Sequence, residues 1–226
     1  MAAPRPAFSV IIPVLDEADT LPETLAHLEA FPEIEEILVV DGGSRDATAD
    51  LARGRGVRLL RAPRGRGRQL NCGARAARLD HLMFLHADCR LPDEAFDAVR
   101  HTFAAGHAAG LFRIDFGSRH PILACLSWLS RCPSRWTQFG EGALFVRRAE
   151  FNAIGGFPEW PLMEDVEILR RLRRRHSLAA APETVQASPR RFLQRGVARQ
   201  MLRNLLVYSL FHLGVSPERL VRLYNG

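Results

Sequence analysis

The chain has 226 residues, 47% apolar and 25% charged, which suits one globular domain with a substantial core and excludes a disordered or fibrous chain. Its net charge is +6 and its pI is near 10.0. All 31 basic residues are arginine, a side chain suited to forked contacts with phosphate and carboxylate. A surface of this charge could meet nucleic acid, anionic lipid or a charged nucleotide. The four cysteines, Cys72, Cys89, Cys125 and Cys132, form no C-x-x-C pair, which excludes the common zinc and haem patterns. They are expected to be reduced and buried in a cytosolic protein. No signal peptide and no apolar run of membrane-spanning length is evident.

In chain order, residues 8–13 predict a β-branched strand running into the acidic loop Pro13-Val14-Leu15-Asp16-Glu17. A helix follows, with Asp19 or Thr20 as cap and Leu21, Leu25 and Leu28 at helical spacing. Residues 35–40 predict a second strand, stopped by the turn Asp41-Gly42-Gly43-Ser44, with a helix starting near Asp46. Residues 57–60 predict a third strand. The basic loop Arg64-Gly65-Arg66-Gly67-Arg68-Gln69-Leu70-Asn71 then feeds a helix over 74–79. Leu82-Met83-Phe84-Leu85 reads as a buried fourth strand that delivers His86 and Asp88 to its carboxyl end. This alternation predicts an α/β fold with a parallel sheet flanked by helices. Right-handed crossovers place the four loops on one edge, where such sheets bind ligands.

The second half is less regular. Helices are expected over 93–105, 121–129 and 164–175, and strands over 110–116 and 143–146. The 164–175 helix has acids in its first turn and arginines in its last, as the helix dipole favours. Residues 192–213 predict one long C-terminal helix, with Arg195, Arg199 and Arg203 beside apolar residues. It either packs on the domain with a cationic face outward or lies on anionic lipid. A single domain is expected, with a nucleotide half (7–92), an acceptor half (93–190) and a helical tail (191–226).

Four features point to a nucleotide-sugar site. Asp41 suits a base or ribose, with Gly43 letting the backbone approach; it also suits a plain Asp-Gly turn. Arg64, Arg66 and Arg68, before a helix N-terminus, suit a diphosphate, or form a solvated basic loop. Asp88, two residues from His86, suits a divalent cation, or caps the next helix. Glu164 and Asp165 suit a general base, or cap their own helix. A basic nucleic-acid- or membrane-binding module explains the charge but not acids at successive strand ends. A sugar-phosphate nucleotidyltransferase calls for a lysine in its first loop, and this chain has none.

These runs together resemble family 2 glycosyltransferases of the GT-A fold. Ser9 to Glu17 is similar to their opening strand and loop, with Asp16 where Asn is usual, and Val39 to Asp46 to their base-binding segment. His86-Ala87-Asp88 stands where they carry Asp-x-Asp, and Met163-Glu164-Asp165 matches their catalytic Glu-Asp. Gly140-Glu141-Gly142 stands where relatives often have Gly-Asp-Gln. The runs 155–167 and 214–220 are similar to a bacterial arsenosugar-biosynthesis-type subgroup. The resemblance implies a Rossmann-like GT-A domain with a C-terminal helical extension. It implies inverting transfer from a nucleotide-diphosphate sugar to a hydroxyl acceptor, with no nucleic-acid partner. Asp165, beside Glu164, would be the base. Pro13, Glu17, Asp41, Gly43, Arg66, Arg68, Asn71 and Asp88 would hold the donor, and Asp88 with His86 would hold Mg²⁺ or Mn²⁺. Peripheral membrane contact would fall to the tail.

Overall fold

A computed structural model describes residues 6–131, 143–175 and 178–225. The first half runs β1 (Phe8–Val14), α1 (Leu21–Leu28), β2 (Ile34–Asp41), α2 (Thr48–Gly54), β3 (Arg58–Arg61), α3 (Arg66–Ala76), β4 (His81–Phe84) and β5 (Cys89–Arg90). The second runs α4 (Ala95–Ala104), β6 (Ala109–Asp115), α5 (Pro121–Leu129), β7 (Leu144–Arg147), α6 (Arg148–Ala153), α7 (Glu164–Arg175) and β8 (Ala179–Ala187). It closes with α8 (Arg190–Arg195), α9 (Val197–His212) and α10 (Pro217–Asn225). The expected loop over 140–142 and Cys132 lie outside the described residues.

The strands form one sheet in the order β3-β2-β1-β4-β7-β6-β8-β5. β3, β2, β1 and β4 are mutually parallel. The chain order reverses across β1, so the carboxyl ends of β1 and β4 flank the crevice where open α/β sheets take ligands. β7 then enters antiparallel to both β4 and β6, so the sheet is mixed in its second half.

Alternation along β1 builds the core on both faces. Val10 and Ile12 pack with Leu21, Leu25 and Leu28 of α1 and Phe96 and Val99 of α4. Ile11 faces the other way, against Leu70 and Ala74 of α3 and Ile168, Leu169 and Leu172 of α7. Each such fully buried side chain contributes about 1.5–3 kcal/mol. These layers fix the beginnings of α3 and α7 over the carboxyl edge of the sheet.

The structure departs from the sequence expectations in several places. α3 begins at Arg66, inside the basic loop, because Gly65 supplies a φ of 139° at its N-cap. The long tail helix is broken at Gly196, whose φ is 82°, into α8 and α9. β8 was not expected at all; its Ala-Ala-Ala-Pro-Glu-Thr-Val-Gln-Ala carries little β-branched signal, and pairing with β6 and β5 makes it a strand. The cysteines also differ: Cys89 is buried, Cys72 half-buried and Cys125 exposed.

Candidate active site

The loop after β1 is laced to the loop after β2. Asp16 takes a left-handed φ of 55°, which aspartate tolerates. Its N–H donates to Ser44 Oγ at 3.0 Å, and its Oδ1 accepts from the Arg45 N–H at 2.7 Å. The N–H groups of Glu17 and Ala18 donate to Thr48 Oγ1 and Asp46 Oδ2. Below them, buried Gln69 donates to the carbonyls of both Val14 and Val40 at 2.8 Å, stapling the ends of β1 and β2 together.

Asp88 is held by its neighbours' backbone. Thr24 Oγ1 donates to the Ala87 carbonyl at 2.6 Å, and the Ser188 N–H donates to the Asp88 carbonyl at 3.2 Å. Burial raises the Asp88 carboxyl above the ordinary aspartate value; Arg191 opposes the rise and Glu17 adds to it. Glu17 itself is buried and ion-paired from the far end of the chain. Arg190 Nη2 lies 2.8 Å from its Oε2, and Arg191 Nη2 lies 3.5 Å from its Oε1.

The two acids of α7 meet Arg66 of α3. Arg66 Nε bonds to Glu164 Oε1, and its Nη2 lies 3.1 Å from Asp165 Oδ2. Arg68 pairs with Glu159 at 3.3 Å. Arginines in a first turn oppose the helix dipole; here the facing acids offset that cost. Burial raises the Glu164 carboxyl, the Arg66 charge opposes the rise and Asp165 adds to it. Asp165 stays partly exposed, with Oδ1 accepting from the Val166 N–H at 2.8 Å. Met163, one residue before the pair, has a φ of 66°, a strained value for a side chain of its size.

One cleft of about 910 Å³ joins these groups. Pro13, Glu17, Arg66, His86, Asp88, Glu164 and Asp165 line it, along with Arg64, Gln69 and Arg191. Asp41, Gly43, Arg68 and Asn71 are not among its lining residues. Asp41 is buried and folds onto its own turn, accepting from the N–H groups of Gly43 and Ser44 and from Ser44 Oγ. Asn71 is buried and clamps both backbone groups of Phe157. Arg66 lines the cleft and lies against the α7 acids. Gln69 and Arg191 were not singled out in the sequence; Gln69 sits inside the basic run, and nothing local marks Arg191.

Comparison with known proteins places this geometry. The family model described as Glycosyl transferase family 2 matches residues 9–133, more than half of the chain. The chain belongs to glycosyl transferase family 2. No curated protein shows significant similarity to it. The solved structures it is similar to include the mannosyltransferase PcManGT from Pyrobaculum calidifontis in complex with GDP-Man and Mn²⁺. That likeness has a TM-score of 0.69 at 20% identity, covering 98% of this chain and 68% of the other. Glucosyl-3-phosphoglycerate synthase from Mycobacterium tuberculosis, in complex with Mn²⁺, UDP-Glc and phosphoglyceric acid, gives 0.61 at 19%, covering 89% and 79%. S. aureus TarS 1–349 gives 0.60 at 16%, covering 96% and 69%. These likenesses establish the fold of this family 2 glycosyltransferase as GT-A. Within that fold, the glycosyltransferase has His86-Ala87-Asp88 directly after β4 and Glu164-Asp165 opening α7.

Proposed function

We propose that this enzyme transfers a sugar, with inversion, from a nucleotide-diphosphate sugar to a hydroxyl acceptor, with Asp165 as general base. The observation that supports it most is a single cleft lined by the loop after β1, by Asp88 after β4 and by Asp165 at the start of α7. The acceptor oxygen attacks the anomeric carbon and a new glycosidic C–O bond forms. The bond from that carbon to the diphosphate breaks, and its electron pair leaves with the nucleoside diphosphate. The acceptor proton passes to Asp165. Arg66 Nη2, 3.1 Å from Asp165 Oδ2, orients the carboxylate at the start of α7. Glu164 holds Arg66 in place from the buried side. Arg64 and Arg191, on the same cleft, supply positive charge for the departing diphosphate.

The donor set fits a cation shared with substrate. Among the described residues no three His, Cys, Asp or Glu side chains gather as a ready-made metal cage. Asp88 and His86 line the cleft together, and Mg²⁺ is commonly held by one or two carboxylates plus substrate phosphates. Mg²⁺ or Mn²⁺ bound there would neutralise charge on the leaving diphosphate. The PcManGT and synthase structures named above contain Mn²⁺. Assignment to the arsenosugar-biosynthesis-type subgroup belongs to the same reading, supported by the runs 155–167 and 214–220. So does a cytoplasmic location with the C-terminal helices as the part that would meet lipid. Among the described residues no helix is long and apolar enough to cross a membrane.

The test is release of nucleoside diphosphate from UDP-, GDP- and dTDP-sugars with Mn²⁺. Asp165→Asn is expected to lower kcat by about 10²–10⁴ while donor affinity stays within about twofold. An equal loss of affinity and rate would assign Asp165 to binding instead. Asp88→Ala is expected to remove the response to added Mn²⁺; full activity in chelator would exclude a cation role.

A further inference from the structure

We infer that the acceptor is a hydroxyl at the end of a long apolar chain, of the alkanol or prenol type. This rests on the transferase reading above and concerns the apolar part of the same cleft. The lining is of two kinds. Its charged residues, among the described residues, are Glu17, Arg64, Arg66, Asp88, Glu164, Asp165 and Arg191, from the loops after β1, β3 and β4 and from α3, α7 and α8. α5 and α9 supply apolar walls, with Ile122, Leu126 and Leu129 from the first and Met201 and Leu205 from the second. A hydrophobic cluster of Ile114, Phe116, Leu123, Phe192 and Val197 packs against Ile122, Leu126 and Met201.

The volume and the mouth of the cleft fix the occupant further. A cleft of about 910 Å³ is near the top of the range for one small ligand, which leaves room for an acceptor beside the donor. Leu205 lines the groove and is also 52% exposed, and Leu202 and Leu206 stand exposed beside it on α9. The groove therefore opens onto an apolar stripe. Ser130, Asn204 and Tyr224 also line the cleft, but Ser130 Oγ donates to the Ile114 carbonyl, and Asn204 Oδ1 and Tyr224 Oη accept from Gln200. A polyol placed there would lose water from several hydroxyls and meet polar groups already engaged, at about 1–3 kcal/mol for each unsatisfied group. A hydrocarbon chain gains from the same walls and still presents one terminal hydroxyl to Asp165.

The experiment uses the full chain and a series from 1-butanol to 1-decanol, with xylitol as the polar comparison. Affinity is expected to rise about threefold to fourfold per added methylene. Cys125 lines the groove and is exposed, so its alkylation by N-ethylmaleimide, followed by mass spectrometry, locates the bound chain. Decanol is expected to slow that alkylation about tenfold or more, and Leu129→Ala to weaken decanol about tenfold. With the nucleotide-sugar that stabilises the protein most, decanol is expected to release nucleoside diphosphate faster than xylitol. Affinity independent of chain length, unprotected Cys125 or a preference for xylitol overturns the inference. If nucleotide-sugars bind and alkanols do not, the acceptor assignment falls and the transferase reading stands. If alkanols protect Cys125 and no nucleotide-sugar binds, the transferase reading falls and takes the acceptor role with it.

Discussion

Glu164 is almost fully buried between Arg66 and the core, and burial raises its carboxyl. Above about pH 4.5 the unfolded chain has released a proton that the folded chain still holds. The stability this proton contributes is complete below that pH and declines as pH rises through the folded value. Glu164→Gln, neutral throughout, is expected to flatten that part of the stability curve, as measured by urea unfolding at a series of pH values. An unchanged slope in the variant would show that Glu164 holds no extra proton in the folded chain. Gly67 makes a different demand. A Cβ there would run into the Pro158 carbonyl, in the loop that leads to the α7 acids. Gly67→Ala is expected to cost about 1–3 kcal/mol, read from the same unfolding curves. A neutral result would mean that the loop gives way freely.

At the scale of elements, the tail is fastened to the first loop by charge. Arg190 of α8 reaches Glu17, 173 residues away in sequence. Arg190→Ala is expected to lower hydrogen-exchange protection in α8 and in residues 16–20 together, leaving β1 to β4 unaffected. The weakening should be on the order of 1–2 kcal/mol, the usual range for a hydrogen bond to a charged group. Protection lost in α8 alone would show that the pair does not couple them. This contact was invisible in the sequence because nothing near Arg190 marks a partner so distant. The first four strands were legible for the opposite reason: apolar runs and glycine or proline stops are local signals. The start of α7 was legible too, from acids at one end and arginines at the other. β8 and the two-residue β5 were not, since β8 takes its pairing from the distant β6 and β5 takes its own from β8. The tail periodicity hid the break because Gly196 acts through φ, and apolar spacing does not register φ. Motif position brought Asp88 and Asp165 to one cleft in the sequence reading, and both line it. The placing of Arg66 on the α7 acids could not be read that way, because it depends on two helix beginnings brought face to face.

For the whole molecule, the cleft borders the sheet edge, α3, α5, α7 and the tail helices at once. A ligand that bridges them binds the folded chain and not the unfolded one. At 100 times its Kd a nucleotide-sugar adds about 2.7 kcal/mol. For a chain of this length that corresponds to a rise in Tm of roughly 5–10 °C. A thermal-shift panel of UDP-, GDP- and dTDP-sugars with Mn²⁺ is expected to show such a rise for one nucleotide and smaller ones for the rest. Flat melting curves across the panel would contradict a donor site at this edge.

The left-handed backbone at Met163 has a consequence for anyone who would re-engineer this enzyme. The side chain borders the cleft next to Asp165, so it is an obvious position at which to alter selectivity. Its φ of 66° rules out valine, isoleucine and threonine there, whose branching at Cβ makes that conformation a severe outlier. Diversity at this position is thus confined to unbranched, amide or glycine replacements, and a library built without that restriction would consist largely of proteins whose turn before Asp165 has shifted.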